Sequence, residues 1–254
     1  MTSVSRNIKP LLVIIATLLV WQGICKAFNI DTFILPAPTD VVRSINEYAQ
    51  PLAEHSLRTL IVTAIGLALA TGFGVILGLI VGASRSVYDC VYPLMIGFNA
   101  IPKVAIVPVI VVWFGIGPVP AVITAFALSF FPIVVNLAIA IRTMEPEIQD
   151  VLRSLGASKW QILTKIGLPR AAPYFFAAFK VAITLAFVGT VLAESVAGNQ
   201  GIGYLMMSAS SRFDLPLVFA GLTVIAAMSI GVYYVVEAIE RRTVGWAMRG
   251  MPGF

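Results

Sequence analysis

Thr59-Leu-Ile-Val-Thr-Ala-Ile-Gly66-Leu-Ala-Leu-Ala-Thr-Gly-Phe-Gly74-Val-Ile-Leu-Gly78-Leu-Ile-Val-Gly82-Ala83 runs without a charged side chain. A helix that crosses a bilayer needs about 20 such residues, because lipid offers the backbone no hydrogen-bond partner. The stretch is long enough to span. It also carries Gly66, Ala70, Gly74, Gly78 and Gly82 at every fourth position. That spacing puts small residues on one helix face, where another backbone can approach closely. The ladder serves either packing within the chain or contact with a second copy.

The same pattern recurs along the chain. Apolar runs at 11–28, 59–83, 92–114, 119–141, 171–196 and 216–236 predict six membrane helices. Composition agrees. The chain of 254 residues is 59% hydrophobic and 11% charged, with mean hydropathy +0.96. An average soluble domain is about 25% charged and about 45–50% apolar. Disorder is excluded, since it needs low hydrophobicity and high charge. Two cysteines, Cys25 and Cys90, make no disulfide scaffold. The runs are continuous, unlike the alternating segments of about ten residues in a membrane β-barrel. The expected fold is an all-α integral membrane protein.

The third run is interrupted by Pro102, Lys103 and Pro108, so a kinked or partly re-entrant segment is expected there. Arg6 and Lys9 before the first run resemble the start of a signal peptide, but no small-x-small cleavage site follows. The first run is expected to stay as an uncleaved helix.

Lys and Arg placement sets the orientation. With the amino end inside, the inner segments hold Arg6, Lys9, Arg85, Arg142, Arg153, Lys159, Lys165, Arg170, Arg241, Arg242 and Arg249. The outer segments hold only Lys26, Arg43, Arg58 and Arg212. Both termini are therefore expected in the cytoplasm. Basic inner loops account for the net charge of +5 without nucleic acid.

Two segments outside the runs carry helical signals. On the outer side, Pro36, Pro38, Thr39 and Asp40 introduce an amphipathic helix from Asp40 to about Ala49. On the inner side, 142–170 is polar yet keeps a helical apolar rhythm at Ile148, Val151, Leu152 and Leu155, then Trp160, Ile162, Leu163 and Ile166. Gly156 permits the left-handed turn that ends one short helix, and Ser158 can cap the next. Such a stripe needs a membrane surface or a partner protein to cover it.

The stretch Asp150-Val-Leu-Arg-Ser-Leu-Gly156-Ala157-Ser-Lys-Trp-Gln-Ile-Leu-Thr-Lys-Ile166-Gly-Leu168-Pro169 resembles the cytoplasmic loop of binding-protein-dependent ABC importer permeases. That loop reads E-A-A, three residues, G, nine residues, I-x-L-P. Gly156, Ile166, Leu168 and Pro169 match at that spacing. Asp150, Val151 and Leu152 stand in place of E-A-A, keeping the charge and enlarging both alanines. Ile101–Gly117, Leu35–Pro38 and Glu194–Tyr204 are similar to the nitrate, sulfonate and taurine branch, so the likeness covers roughly residues 30–240.

The resemblance implies a type I importer fold, with Asp150, Val151, Leu152, Leu155, Gly156, Ala157, Ile166, Leu168 and Pro169 coupling to an ATPase. It implies as partners an ABC ATPase dimer, a second permease copy in a homodimer, and a periplasmic or lipid-anchored substrate-binding protein. The lipid bilayer of a bacterial inner membrane surrounds them. The solute implied is nitrate, a sulfonate, taurine or a similar organic anion, and similar permeases carry pyrimidine-like vitamin precursors.

No enzyme signature accompanies these features. The sequence has no G-x-x-x-x-G-K-[ST] phosphate loop and no H-E-x-x-H, and its one histidine is His55. No clustered zinc ligands are seen. ATP is therefore expected on a partner subunit, with no cofactor or metal on this chain. A self-sufficient secondary transporter or channel, the alternative, needs its own coupling groups. Candidate pathway groups within the runs are Lys103, Asn136, Lys180 and Glu194. Lys103 in a straight span would lie roughly 16 Å deep at about 1.5 Å per residue. It is either a pathway cation or a lysine bonded to carbonyls that Pro102 frees. Lys180 is expected to snorkel or pair, Glu194 to gate or pair, and Asn136 to join helices.

Overall fold

A computed structural model describes the backbone of residues 3–248 and the side chains of residues 12–246. The side chains of Arg6, Lys9 and Arg249, and of Leu11 at the start of the first run, lie outside the described residues. In chain order the helices are α1 (Ser3–Ala27), α2 (Pro38–Glu47), α3 (Ala49–Ala83), α4 (Arg85–Ala100), α5 (Lys103–Phe114), α6 (Pro118–Arg142), α7 (Pro146–Ser154) and α8 (Lys159–Ile162). A π-helical turn, Leu163–Gly167, leads into α9 (Leu168–Ala197); α10 (Ile202–Ser210), α11 (Leu215–Thr243) and α12 (Gly245–Met248) follow. The fold is all-helical.

Among the described residues four helices are long and apolar enough to cross a membrane, and the bent pair α4 and α5 is either a broken fifth span or a re-entrant loop. The described apolar part of α1, Leu12–Ala27, is shorter. The expected third span, 92–114, is not one straight helix. It breaks at Ile101–Pro102 into α4 and α5, which meet at 85°. Pro102 has no N–H to continue the ladder. Helix α3 begins ten residues before the expected 59 and directly follows the amphipathic α2.

The core is the triple contact of α3, α6 and α9. Leu67, Ala125, Ile133, Ala182, Ile183, Ala186 and Phe187 form its buried centre, closed by Val236 of α11. The small-residue ladder works here, inside the chain. A Cβ added at Gly66 would stand 2.6 Å from Ala125 Cβ, and one at Gly74 3.0 Å from Ile133 Cβ. At Gly78 and Gly82 the nearest atoms belong to Val134, Leu137, Ala138 and Ile141, again on α6. The face is therefore occupied by α6, the first of its two readings, packing within the chain. From the other side, a Cβ at Gly189 of α9 would lie 2.9 Å from Thr124 O. Backbones this close leave little room for lipid or water, and dispersion contacts hold the three helices together.

Candidate functional site

The polar 142–170 segment forms a helix pair between α6 and α9. Its hinge is a complete glycine cap. Gly156 has φ +86°, the Ala157 N–H donates to Leu152 O at 2.9 Å, and the Gly156 N–H donates to Arg153 O at 2.9 Å. This is the double bond pattern of a helix end that turns through the left-handed region. Helix α8 starts on a reciprocal cap. The Gln161 N–H donates to Ser158 Oγ, and Ser158 N–H donates to Gln161 Oε1 at 2.8 Å.

The apolar rhythm does not form one stripe. Ile162 is buried, and Leu163 packs against Leu137, Ala140, Ile141 and Ala171 in the bundle. Ile166 is half-buried, and a Cβ at neighbouring Gly167 would meet Met144. Val151, Leu155 and Trp160, in contrast, turn outward, at 60%, 78% and 71% exposure. The second half of the loop is thus anchored and the first half presents an unfilled apolar face. Asp150 pairs loosely with Arg153 at 3.4 Å, Ala157 is half-buried, and Leu168 and Pro169 open α9. Arg170 reaches Glu145 at 3.6 Å, fastening the start of α9 to the start of α7.

The intramembrane polar residues separate into distinct jobs. Lys103 begins α5 at the break, not mid-span. Its Nζ donates to Asn99 O at 3.2 Å and Asn99 Oδ1 at 2.8 Å, so it holds the carbonyl left free at the end of α4. The roughly 16 Å depth of a straight span therefore does not apply to it. Asn136 donates to Pro132 O of its own helix at 2.8 Å. Lys180 pairs with Glu240 of α11 at 2.6 Å, and its ammonium lies 5.5 Å from the Tyr233 ring centroid.

Glu194 is sealed within the described chain. It is 5% exposed and accepts the Thr59 hydroxyl at 2.9 Å and the Gly203 N–H at 3.0 Å. Thr59 in turn accepts the Ile202 N–H at 2.8 Å, and His55 Nδ1 accepts the Gly201 N–H at 2.9 Å. One turn further in, Thr63 and Thr190 hydroxyls are 2.9 Å apart. The sequence reading missed His55, Thr59, Thr63, Thr190 and Glu240. A signal existed for the first four: His55, Thr59 and Thr63 recur every fourth residue on α3, and Thr190 and Glu194 do so on α9. Between the apolar runs that end at 196 and resume at 216, the chain forms α10.

The site thus consists of a capped helix pair at one end of an apolar bundle and a buried polar seam at the other. The chain belongs to the family described as "binding-protein-dependent transport system inner membrane component", whose model matches residues 70–245. It is 29% identical to a probable ABC transporter permease protein of Haemophilus influenzae, over 96% of this chain and 99% of that one. It is 32% identical to the riboflavin transport system permease protein RibX of Chloroflexus aurantiacus, over 90% of this chain and 86% of that one. Permeases named for aliphatic sulfonates, taurine and nitrate are each 26% identical, and one named for formylaminopyrimidine is 28% identical. In fold it is similar to the inward-facing MetNI methionine ABC transporter, with TM-score 0.59 over 83% of this chain and 97% of that one, at 19% identity. The chain is a membrane-spanning permease component of an ABC importer.

Proposed function

We propose that this chain conducts a small solute, nitrate, a sulfonate, taurine or a similar organic anion, through a bacterial inner membrane while a partner ATPase supplies the energy. The observation that carries the reading is the α7–α8 pair. Its inner half is built into the bundle, while Val151, Leu155 and Trp160 project an apolar face that none of the described residues covers. A face fixed at the end of α9 and left open suits a seat for an ATPase subunit. Asp150, Val151, Leu152, Leu155, Gly156 and Ala157 form the seat, and Ile166, Leu168 and Pro169 carry it into α9.

In this reading the amino end is cytoplasmic, and α1 and the α4–α5 pair complete six crossings. A binding protein delivers solute at the end that carries α10. A second copy of the chain faces this one across the pathway. ATP-driven movement of the seat then swings α9 and switches the opening from one side to the other, a two-state change with no chemistry on this chain. Relatives named for sulfonate, taurine and nitrate transport support the anion, and those named for riboflavin and formylaminopyrimidine define the competing heterocyclic class.

The test is uptake by the chain reconstituted with its ATPase and binding protein in sealed vesicles. Taurine, an alkyl sulfonate, nitrate, riboflavin and a formylaminopyrimidine are offered with and without ATP. Accumulation of nitrate, the sulfonate or taurine that requires ATP is expected. Uptake without ATP would mean a self-sufficient carrier, and ATP-dependent uptake of a heterocycle alone would replace the substrate class.

A further inference from the structure

The end of the bundle opposite the α7–α8 pair carries a second device. Helix α10 begins with three successive N–H groups, those of Gly201, Ile202 and Gly203. Each is taken by a side chain from another helix: His55 and Thr59 of α3 and Glu194 of α9, at 2.9, 2.8 and 3.0 Å. The first N–H groups of a helix have no partner within it and carry partial positive charge. A carboxylate at that point meets both needs. Thr59 ties the three helices together, because a hydroxyl has one proton to give and two lone pairs to receive. It gives the proton to Glu194 and receives from Ile202.

The connection allows little tolerance. Gly201 has φ +101°, and a Cβ there would overlap the Glu194 carboxylate. A Cβ at Gly203 would stand 2.8 Å from Glu194 Cβ and 3.0 Å from Ser195 Oγ. Thr59 and Ile202 are wholly buried. Helix α10 is therefore keyed into α3 and α9 by its first turn, while Tyr204, Met207 and Ser210 remain exposed along its outer face. The other end of α9 runs without interruption into the π-helical turn and α8.

We infer that Thr59, Glu194 and His55 are positioning residues of the transport cycle: they lock α10 to α3 and α9, so that a protein docking on the exposed face of α10 moves the α7–α8 pair through α9. This rests on the permease reading. It assigns Glu194 to transmission, not to the solute path.

The contrast of Thr59→Val with Thr59→Ser tests it, in the chain assembled with its ATPase and binding protein. Valine keeps the shape and removes both bonds, while serine keeps the hydroxyl. The readouts are ATPase co-purification, the ratio of ATP hydrolysis with and without binding protein, and the motion of a spin label at Met207 compared with one at Leu222 on α11. Thr59→Val is expected to retain the ATPase, drop the stimulation ratio to near one, and mobilise the label at Met207 only. Thr59→Ser is expected to behave as the unaltered chain. If Thr59→Val does not assemble, His55→Ala, which removes only the Gly201 acceptor from a half-buried site, must lower the ratio and loosen the label partially. An assembled Thr59→Val complex with an unchanged ratio and a still-ordered label overturns the inference. If the unaltered complex does not respond to binding protein while its Met207 label loosens in Thr59→Val, the lock is real and the permease reading has failed, taking the transmission role with it.

Discussion

The ammonium of Lys180 stands 2.6 Å from Oε2 of Glu240, and Glu240 is 3% exposed. The pair joins α9 to α11 across 60 positions of sequence. Glu237, on the same helix as Glu240, pairs instead with Arg241 at 2.8 Å. Removing one partner leaves a charge in low dielectric with nothing to offset it, at a cost of about 3–5 kcal/mol. Lys180→Met should therefore lower the thermal midpoint of the detergent-solubilised chain strongly. Lys180→Met with Glu240→Met should recover most of the loss, because an apolar pair removes the desolvation cost together with the attraction. A double variant no better than Lys180→Met would show that the two residues do not act as a pair.

The glycine ladder predicts a sharp positional contrast. Gly66 and Gly72 lie on the same helix, but a Cβ at Gly66 meets Ala125 Cβ at 2.6 Å, while one at Gly72 meets nothing within 4 Å. Gly66→Val should cost about 1–3 kcal/mol from overpacking against α6. Gly72→Ala should be neutral, or stabilise by up to about 1 kcal/mol through helix propensity. Thermal unfolding of the two variants in one detergent decides the matter; equal losses at both sites would refute the close α3–α6 approach.

Lys103 is predicted to act as the clasp of the α4–α5 break. Lys103→Gln keeps a donor for Asn99, and transport should stay within about twofold of the unaltered chain, a change worth less than about 0.5 kcal/mol. Lys103→Leu removes the donor and should lower transport markedly with both charged and uncharged solutes. A loss with Lys103→Gln confined to anionic solutes would instead put the ammonium in the solute path.

Orientation is checked by thiol labelling. Gly156 and Asn199 are both exposed, at opposite ends of the bundle. Gly156→Cys and Asn199→Cys are each made in a background lacking Cys25 and Cys90. In intact cells an impermeant reagent should label only the Asn199 site. Labelling of the Gly156 site would invert the threading given by the Lys and Arg count.

What the sequence disclosed follows the range of the interactions. The Gly156 turn and the Ser158 cap depend on residues three to five apart, so their signals sit side by side in the chain. The ladder from Gly66 to Gly82 was also legible, because small residues at a fixed spacing have meaning on one helix alone. Which helix they meet was not, since α6 begins far downstream. The proline pair at 102 and 108 foretold an interruption, but not an 85° bend. The Thr59–Glu194 contact spans 135 positions, and neither residue is unusual by itself. Helix α10 was hidden for another reason: Ile202–Ser210 is short and mixes glycine, serine and methionine, and its helical state depends on the three caps supplied by α3 and α9. Lys180 showed itself as a costly charge, yet its partner Glu240 lies beyond the last apolar run, 60 positions downstream.

The most direct test of the account addresses the open face of the α7–α8 pair. Gly156 stands in open space at φ +86°, so substitution there is resisted by backbone conformation alone. Gly156→Asn should be tolerated and Gly156→Val should not, with a difference of about 1–2 kcal/mol for the left-handed region. Leu155→Asp goes further, by placing a charge on the face itself at a cost of about 2–5 kcal/mol if a partner buries it. Co-purification of the ATPase subunit with membrane-inserted chain is the measurement. The account predicts retention with the unaltered chain and with Gly156→Asn, and loss with Leu155→Asp at normal membrane abundance. Full retention of the ATPase by Leu155→Asp would contradict it.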